Sequence, residues 1–285
     1  MKLVSLTICR NSDWSIEAVL RSALKWVDEC VVLDHASHDS TSAILSSLVR
    51  ETKRIRVVRV DDPVWHEASH RQRTLEVARD MDATHCAIID DDEILSENLV
   101  PRIRGALERM APGETMNIPW VYLWRSLDRF RDDTSKWSRS YLPIGFRDSE
   151  ALHWRTRGGY DHHHRGPFGC APRNHGPFGV NSQNSGYLHG GGMLHYQHAN
   201  WDRLMAKQTW YQMMELVRWP EFGIDRIKAR YAPTFDETEI HTSPVPPEWW
   251  GPEKSLIRVG KPPWQKADME RMITEMGRDY FEGIL

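Results

Sequence analysis

Ala87-Ile88-Ile89-Asp90-Asp91-Asp92-Glu93-Ile94-Leu95 joins a short apolar run to four consecutive acids and then turns apolar again. The run before the acids, with its paired isoleucines, reads as a buried strand. The acids then stand just past its carboxyl end, where open α/β sheets bind ligands. Four adjacent carboxylates repel one another unless a cation or water takes up the charge. Hard divalent ions such as Mg²⁺ or Mn²⁺ prefer oxygen ligands and also hold substrate phosphates. The stretch therefore reads as a metal–diphosphate site. An acidic run taken alone is more often a solvated turn, so the decision rests on its surroundings.

The chain leading to it supplies that context. Leu3–Cys9 is apolar and β-compatible. Ile16, Val19, Leu20, Ala23, Leu24 and Val27 then recur at helical spacing, with Ser12 or Asp13 as N-cap. Glu29–Asp34 predicts a second strand. Asp39 or Ser40 caps a helix whose stripe is Ala43, Ile44, Leu48 and Val49. Ile55–Val60 predicts a third strand, and a helix from Glu67 to Met81 leads to the strand before the acids. This alternation is the signature of an α/β fold with a parallel, doubly wound sheet. Asp34 and Asp61 also close their strands. Acids thus gather along one sheet edge, which favours a site over a solvated turn.

With 285 residues, 40% hydrophobic and 27% charged, the chain suits one large α/β domain or two small ones. A net charge of -3 argues against a strongly basic nucleic-acid binder. Cys9, Cys30, Cys86 and Cys170 lie far apart and three fall in predicted strands, which suggests free core thiols in a reducing compartment. The polar Arg10-Asn11-Ser12-Asp13 follows the first apolar run at once, with no small-residue cleavage site, so that run reads as a strand and not a signal peptide. No run approaches the length of a membrane span. A cytoplasmic location without a transmembrane segment is the expectation.

Beyond the acids, a helix is expected from Ser96 to Met110, with Pro101 in its first turn. Met116–Trp124, Tyr141–Arg147 and Ala151–Trp154 read as strands, and Arg125–Trp137 as a loop. Arg157–Gly192 is rich in Gly, Pro and His. It carries a near-repeat, His164-Arg165-Gly166-Pro167-Phe168-Gly169 against Asn174-His175-Gly176-Pro177-Phe178-Gly179. Such a segment reads equally as a mobile lid or a surface insertion. Met193–His198 predicts a short strand and Trp201–Trp219 an amphipathic helix ended by Pro220. Ile224–Tyr231 predicts a short helix, Pro244–Trp264 a surface wrap and Lys266–Phe281 a last helix. Most of the 13 tryptophans follow residue 119, which suggests stacking platforms as well as a core.

Together these residues resemble family 2 glycosyltransferases of the GT-A fold. The opening strand followed by Asn is Thr7-Ile8-Cys9-Arg10-Asn11. The strand ending in Asp, with its polar turn, is Asp34-His35-Ala36-Ser37-His38-Asp39-Ser40-Thr41. The Asp-x-Asp motif followed by Glu is Asp90-Asp91-Asp92-Glu93. The match covers residues 3 to 110. A tail of Leu194-His195-Tyr196-Gln197-His198, then Lys207 and Tyr211, is similar to a subset of the family. The organisation implied is a nucleotide-sugar half over 1–115, an acceptor half over 116–200 containing the 157–192 loop, and a helical segment over 201–285 packed on the same domain.

The resemblance implies roles for individual residues. Asp34 contacts the base or ribose of the donor; the bland reading is a helix-capping Asp. Asp90 and Asp92 alternate on an extended segment, so both face one site while Asp91 faces away. Asp92 contacts the metal, Asp90 contacts ribose or the ion, and Glu93 holds the loop. His195 is the third ligand, with His198 as alternate, although a lone His is more often core or surface. Of Arg71 and Arg73, on different helix faces, at most one reaches the diphosphate. Lys207 is a further phosphate contact or else a surface lysine. The ion is Mn²⁺ or Mg²⁺ and the donor a UDP-sugar.

Inverting transfer needs a carboxylate to take the acceptor proton. Asp148, Glu150 and Asp161 are the candidates, with Asp161 preferred and Glu150 next. His162-His163-His164 with His175 and His189 suggests zinc, but without Cys partners at finger spacing a polar loop is the better reading. Trp120, Trp124, Trp137 and Trp154 are candidate stacking platforms. The expected activity is metal-dependent sugar transfer to an acceptor hydroxyl. A nucleotidyltransferase on the same fold would want a Gly-rich basic loop after the first strand, where this chain has Arg10-Asn11-Ser12-Asp13. A non-catalytic sugar- or nucleic-acid-binding relative is the other alternative. The acceptor is open: a glycan, a lipid-linked glycan, a protein, a small molecule or modified DNA.

Overall fold

The apolar runs of the first ninety residues become the inner strands of one sheet. The structure, a computed structural model, describes residues 1–135, 138, 140–157, 165–174 and 190–285. β1 (Leu3–Cys9), β2 (Glu29–His35), β3 (Ile55–Val60) and β4 (His85–Ile88) alternate with α1 (Ile16–Ala23), α2 (Thr41–Thr52) and α3 (Glu67–Asp80). β1 and β4 are buried along their whole length, which is why they read as unbroken apolar runs. β5 (Glu93–Leu95), α4 (Val100–Glu108), β6 (Glu114–Tyr122), β7 (Arg129–Arg131) and β8 (Tyr141–Arg147) follow. Then come β9 (Ala171–Asn174), β10 (Met193–His195), α5 (Trp201–Arg218), α6 (Ile224–Phe235), β11 (Thr242–Pro244) and α7 (Gln265–Met276).

The main sheet runs β3-β2-β1-β4-β8-β6-β10-β5, with β9 beside β6. It is mostly parallel; β8 opposes both its neighbours and β5 opposes β10. Two reversals in succession cancel, so β6 and β10 run in the direction of β4. His195, at the end of β10, therefore emerges on the same edge as the acids after β4. Helices cover both faces. Leu20, Leu45, Ile103 and Leu107 belong to the core on one side, and Val4, Leu75 and Phe146 to the core on the other. Trp210, Met213, Ile227, Tyr231, Met272 and Phe281 bring α5, α6 and α7 together in a third cluster.

The structure departs from the sequence reading at short elements. Ala151–Trp154 is not a strand: His153 makes a single bridge to Phe168, and Trp154 packs on Phe146 in the core. Arg125–Trp137 holds β7, whose partner β11 lies more than a hundred residues on, out of range of any local pattern. The helix expected from Ser96 begins as a 3-10 turn, Glu97–Leu99. The strand at Met193 stops at His195. The last helix stops at Met276, where Gly277 takes φ 85°. All four cysteines are free, three of them buried. Among the described residues no helix is long and apolar enough to cross a membrane.

Candidate active site

The acids form a tight turn, not an extended strand: Glu93 N donates to Asp90 O at 3.2 Å. β5 then pairs with β10, Glu93 opposite His195, and Tyr196 N donates to Asp92 O at 3.1 Å. This register sets Asp92 beside His195. The turn corrects the expected alternation of the motif. Asp91 does not face away; it lines the same cleft as Asp90 and Asp92 and accepts from Ser12 Oγ after β1.

Each of the other acids meets a cation or imidazole of the chain. Arg71 Nη2 donates to Asp90 Oδ1 at 3.0 Å, and Arg165 Nη1 to Asp90 Oδ2 at 2.9 Å. Arg165 also grips both oxygens of Glu93, at 2.7 and 2.8 Å. Lys207 Nζ donates to Asp92 Oδ2 at 3.0 Å, and His195 Nε2 lies 3.3 Å from Asp92 Oδ1. α5 presents Lys207 because its Asn200 cap fixes the start of the helix, accepting from Arg203 N at 2.9 Å.

Protonation follows from these contacts. Burial pushes every carboxylate of the turn up. At Asp92, Lys207 and His195 more than reverse that push, and its pKa falls well below the carboxylate range. Arg71 and Arg165 do the same at Asp90, less strongly. Glu93 stays raised by burial despite Arg165. Asp91 is buried beside Asp92 and is pushed up to about 7.

The cleft over the turn measures about 360 Å³. Its walls include Trp65, Trp120, Tyr122, Gln197, His198 and Tyr211. Trp120 stacks on His195 with ring centroids 4.3 Å apart. His195 Nδ1 has no hydrogen-bond partner among the described residues, so stacking orients this ring. Asp92, Glu93 and His195 are buried, with ligand atoms within 4.8 Å of one another. Arg165 occupies both Glu93 oxygens, which leaves Asp92 Oδ1 and His195 Nε2 facing each other. A carboxylate and an imidazole suit Mn²⁺, and an ion that completes its shell with phosphate oxygens and water needs few protein ligands. The residues present fit such an ion.

Other expected site residues lie elsewhere. Arg73 is exposed and 3.7 Å from Glu76, away from the acids. Asp34 lies at the same sheet edge but is closed off, accepting from Arg59 at 2.5 Å and Ser42 at 2.7 Å, and does not line the cleft. Glu150 is exposed beside Asp148, which is bound by Arg79 and hydrogen-bonded to Thr84 at the amino end of β4. That is the opposite end of the strand, so neither Asp148 nor Glu150 reaches the cleft. Asp161, Trp137, His162-His163-His164, His175 and His189 lie outside the described residues. Trp124 stacks on His198, its ring under Arg131. Arg165 is the residue that the sequence reading missed. Its partners stand 72 and 75 residues away, and its own segment has no periodicity.

Residues 6–164, more than half of the chain, match the sequence profile of Glycosyl transferase family 2. The chain belongs to that family. It is a glycosyltransferase, and its mostly parallel sheet between helices is the GT-A architecture. Solved structures similar to it include Staphylococcus aureus TarS residues 1-349, 12% identical over 81% of this chain and 71% of that one, TM-score 0.44. Glucosyl-3-phosphoglycerate synthase from Mycobacterium tuberculosis, in complex with Mg²⁺ and uridine-diphosphate, is 24% identical over 42% of this chain and 43% of that one, TM-score 0.32. GalNAc-T7 with UDP, GalNAc and Mn²⁺ is 10% identical over 43% of this chain and 24% of that one, TM-score 0.34. The family 2 chain thus spans less than half of the latter two. No curated protein sequence matches it.

Proposed function

We propose that this glycosyltransferase moves a sugar from a nucleotide-diphosphate donor, a UDP-sugar, to an acceptor hydroxyl with inversion, and that it uses Mn²⁺ or Mg²⁺. The observation that carries the reading is the buried pair Asp92 Oδ1 and His195 Nε2, 3.3 Å apart at the floor of the cleft. A divalent ion held there neutralises charge on the departing diphosphate. Lys207, on the other oxygen of Asp92, is placed to meet a phosphate oxygen from the α5 side. Arg71, across the turn on Asp90, offers the second cationic wall. Trp120 and Tyr122 give the sugar an aromatic floor and keep water from the reacting carbon. Asp34 is proposed to serve the nucleoside at this sheet edge through Arg59, the half-exposed arginine that it holds at 2.5 Å.

Asp161 is proposed as the base. In the sequence it precedes by four residues Arg165, an arginine that touches the acids. The test is release of nucleoside diphosphate from a panel of UDP-, GDP- and dTDP-sugars, with and without Mn²⁺. The UDP-sugar lane is expected to turn over only with the ion, and Asp92→Asn to lower turnover by roughly 10²–10³-fold. Full turnover in EDTA, or with Asp92→Asn, contradicts the reading.

A further inference from the structure

Past Lys207, the cleft gives way to a second cavity of about 70 Å³. Trp14, Trp65, Trp210 and Trp264 wall it, and it shares Asp91, Asp92 and Lys207 with the cleft. Arg10, just after β1, and Arg203, in the first turn of α5, also line it. Arg203 is 4% exposed. It lies 4.0 Å over the Trp14 ring and donates from Nη2 to Lys261 O at 2.6 Å. Arg10 lies 4.7 Å over Trp264 and donates from Nη1 to Pro63 O at 2.9 Å. The Nε of each is buried with no partner among the described residues.

Neither guanidinium pairs with a carboxylate among the described residues. The acids around them are committed elsewhere. Asp92 meets Lys207 and His195, and Asp91 meets Ser12. Asp13 meets Lys261, Asp202 meets Lys266, and Asp268 meets Trp210 and Arg271. Burying a cation without a counter-charge is costly. Burial accordingly holds both guanidinium pKa values below their ordinary range. A buried Arg203 and a half-buried Arg10, lining one small cavity, make a place for an anion.

We propose that this cavity is a second anion site, in which Arg10 and Arg203 take a phosphate group carried by a substrate. Guanidinium forks match phosphate oxygens in geometry and charge. The volume admits an oxyanion and a few waters, not a nucleoside. Past Arg10, Trp65, Trp210 and Trp264, an outer groove of about 830 Å³ shares the same walls and offers room for the rest of a phosphorylated molecule. The anion site stands on its own geometry. Only the carrier of the phosphate, donor diphosphate or phosphorylated acceptor, rests on the transferase reading.

Four indoles in the wall make tryptophan fluorescence the readout. Inorganic phosphate and pyrophosphate are titrated in EDTA into wild type, Arg10→Gln, Arg203→Gln and Arg203→Lys. Wild type should saturate, each Gln variant should bind about tenfold or more weakly, the charge-assisted contact being lost, and Arg203→Lys, which keeps the charge but not the fork, should fall between wild type and Arg203→Gln. No saturable response in wild type, or Gln variants that match it, overturns the proposal. Should Arg203→Gln fail to fold, Arg10→Gln decides. UDP titrations identify the carrier. If Arg10→Gln weakens UDP as it weakens phosphate, the donor fills the site. If UDP is unaffected and phosphate still binds the UDP-saturated protein, a phosphorylated acceptor fills it. Phosphate binding that survives Asp92→Asn separates this site from the metal reading.

Discussion

Asp91 is the member of the acidic run that, among the described residues, pairs with no cation. Burial beside Asp92 raises it to about 7, so between about pH 4 and 7 the folded chain holds a proton that the unfolded chain releases. Stability from this group therefore falls as pH rises through that window. His35 and His70 act in the opposite sense: burial lowers them to about 4 and about 3, so the folded state gains stability as pH rises towards 6.5. Comparing Asp91→Asn with wild type cancels the histidines. In EDTA, the Tm difference, variant minus wild type, should grow from pH 5 to pH 8; parallel profiles would contradict the assignment. Arg165 is the second decisive residue. It joins Asp90, Glu93 and the carbonyl of Pro143, and removing it strands the buried carboxylate of Glu93, while Asp90 keeps Arg71. Arg165→Met should cost about 3–5 kcal/mol, read as a lower urea midpoint at unchanged slope. Neither residue was legible in the sequence. The position of Asp91 depends on a turn that an Asp-x-Asp pattern does not specify, and the partners of Arg165 are distant along the chain.

Elements fared differently according to what holds them. β1 to β4 with α2 and α3 follow the sequence reading to within a few residues, because each carries its own periodicity, whereas α1 starts at Ile16 after Ser15 and stops at Ala23, short of the expected Val27. β5, β7, β10 and β11 are three-residue strands that exist through their partners, and no local pattern announces a partner. The approach of β10 to β6 shows the cost of such dependence. A Cβ on Gly192 would stand 2.2 Å from the backbone oxygen of Pro119, so only glycine lets the chain enter β10 this close to β6. Gly192 also exchanges hydrogen bonds with Ser96, at 2.9 and 3.0 Å, which aligns β5 with β10. Gly192→Ala should therefore cost roughly 1–3 kcal/mol or more and displace His195 from Asp92. Chemical denaturation and Mn²⁺ affinity should both register the change. Wild-type values for both would show that the β5–β10 register does not set the site.

At the scale of the molecule, one sheet edge collects groups that the chain scatters. Ser12 follows β1, Arg71 comes from α3, the acids follow β4, His195 ends β10 and Lys207 comes from α5. Most of this set was legible, because strand–helix alternation and three ordered motifs fix where β1, β2 and β4 end and the resemblance of the tail pointed to His195 and Lys207. The acceptor half was not, since Arg157–Gly192 has no period to read and its candidate base, Asp161, lies outside the described residues. The proposed transfer depends on one step of this assembly, the holding of a divalent ion by Asp92 and His195. Anomalous diffraction at the manganese edge, from crystals soaked with MnCl₂ and UDP, tests it most directly. The account predicts a single strong peak between Asp92 Oδ1 and His195 Nε2, absent from Asp92→Asn crystals. A peak elsewhere in the cleft, or none while UDP is bound, would contradict it.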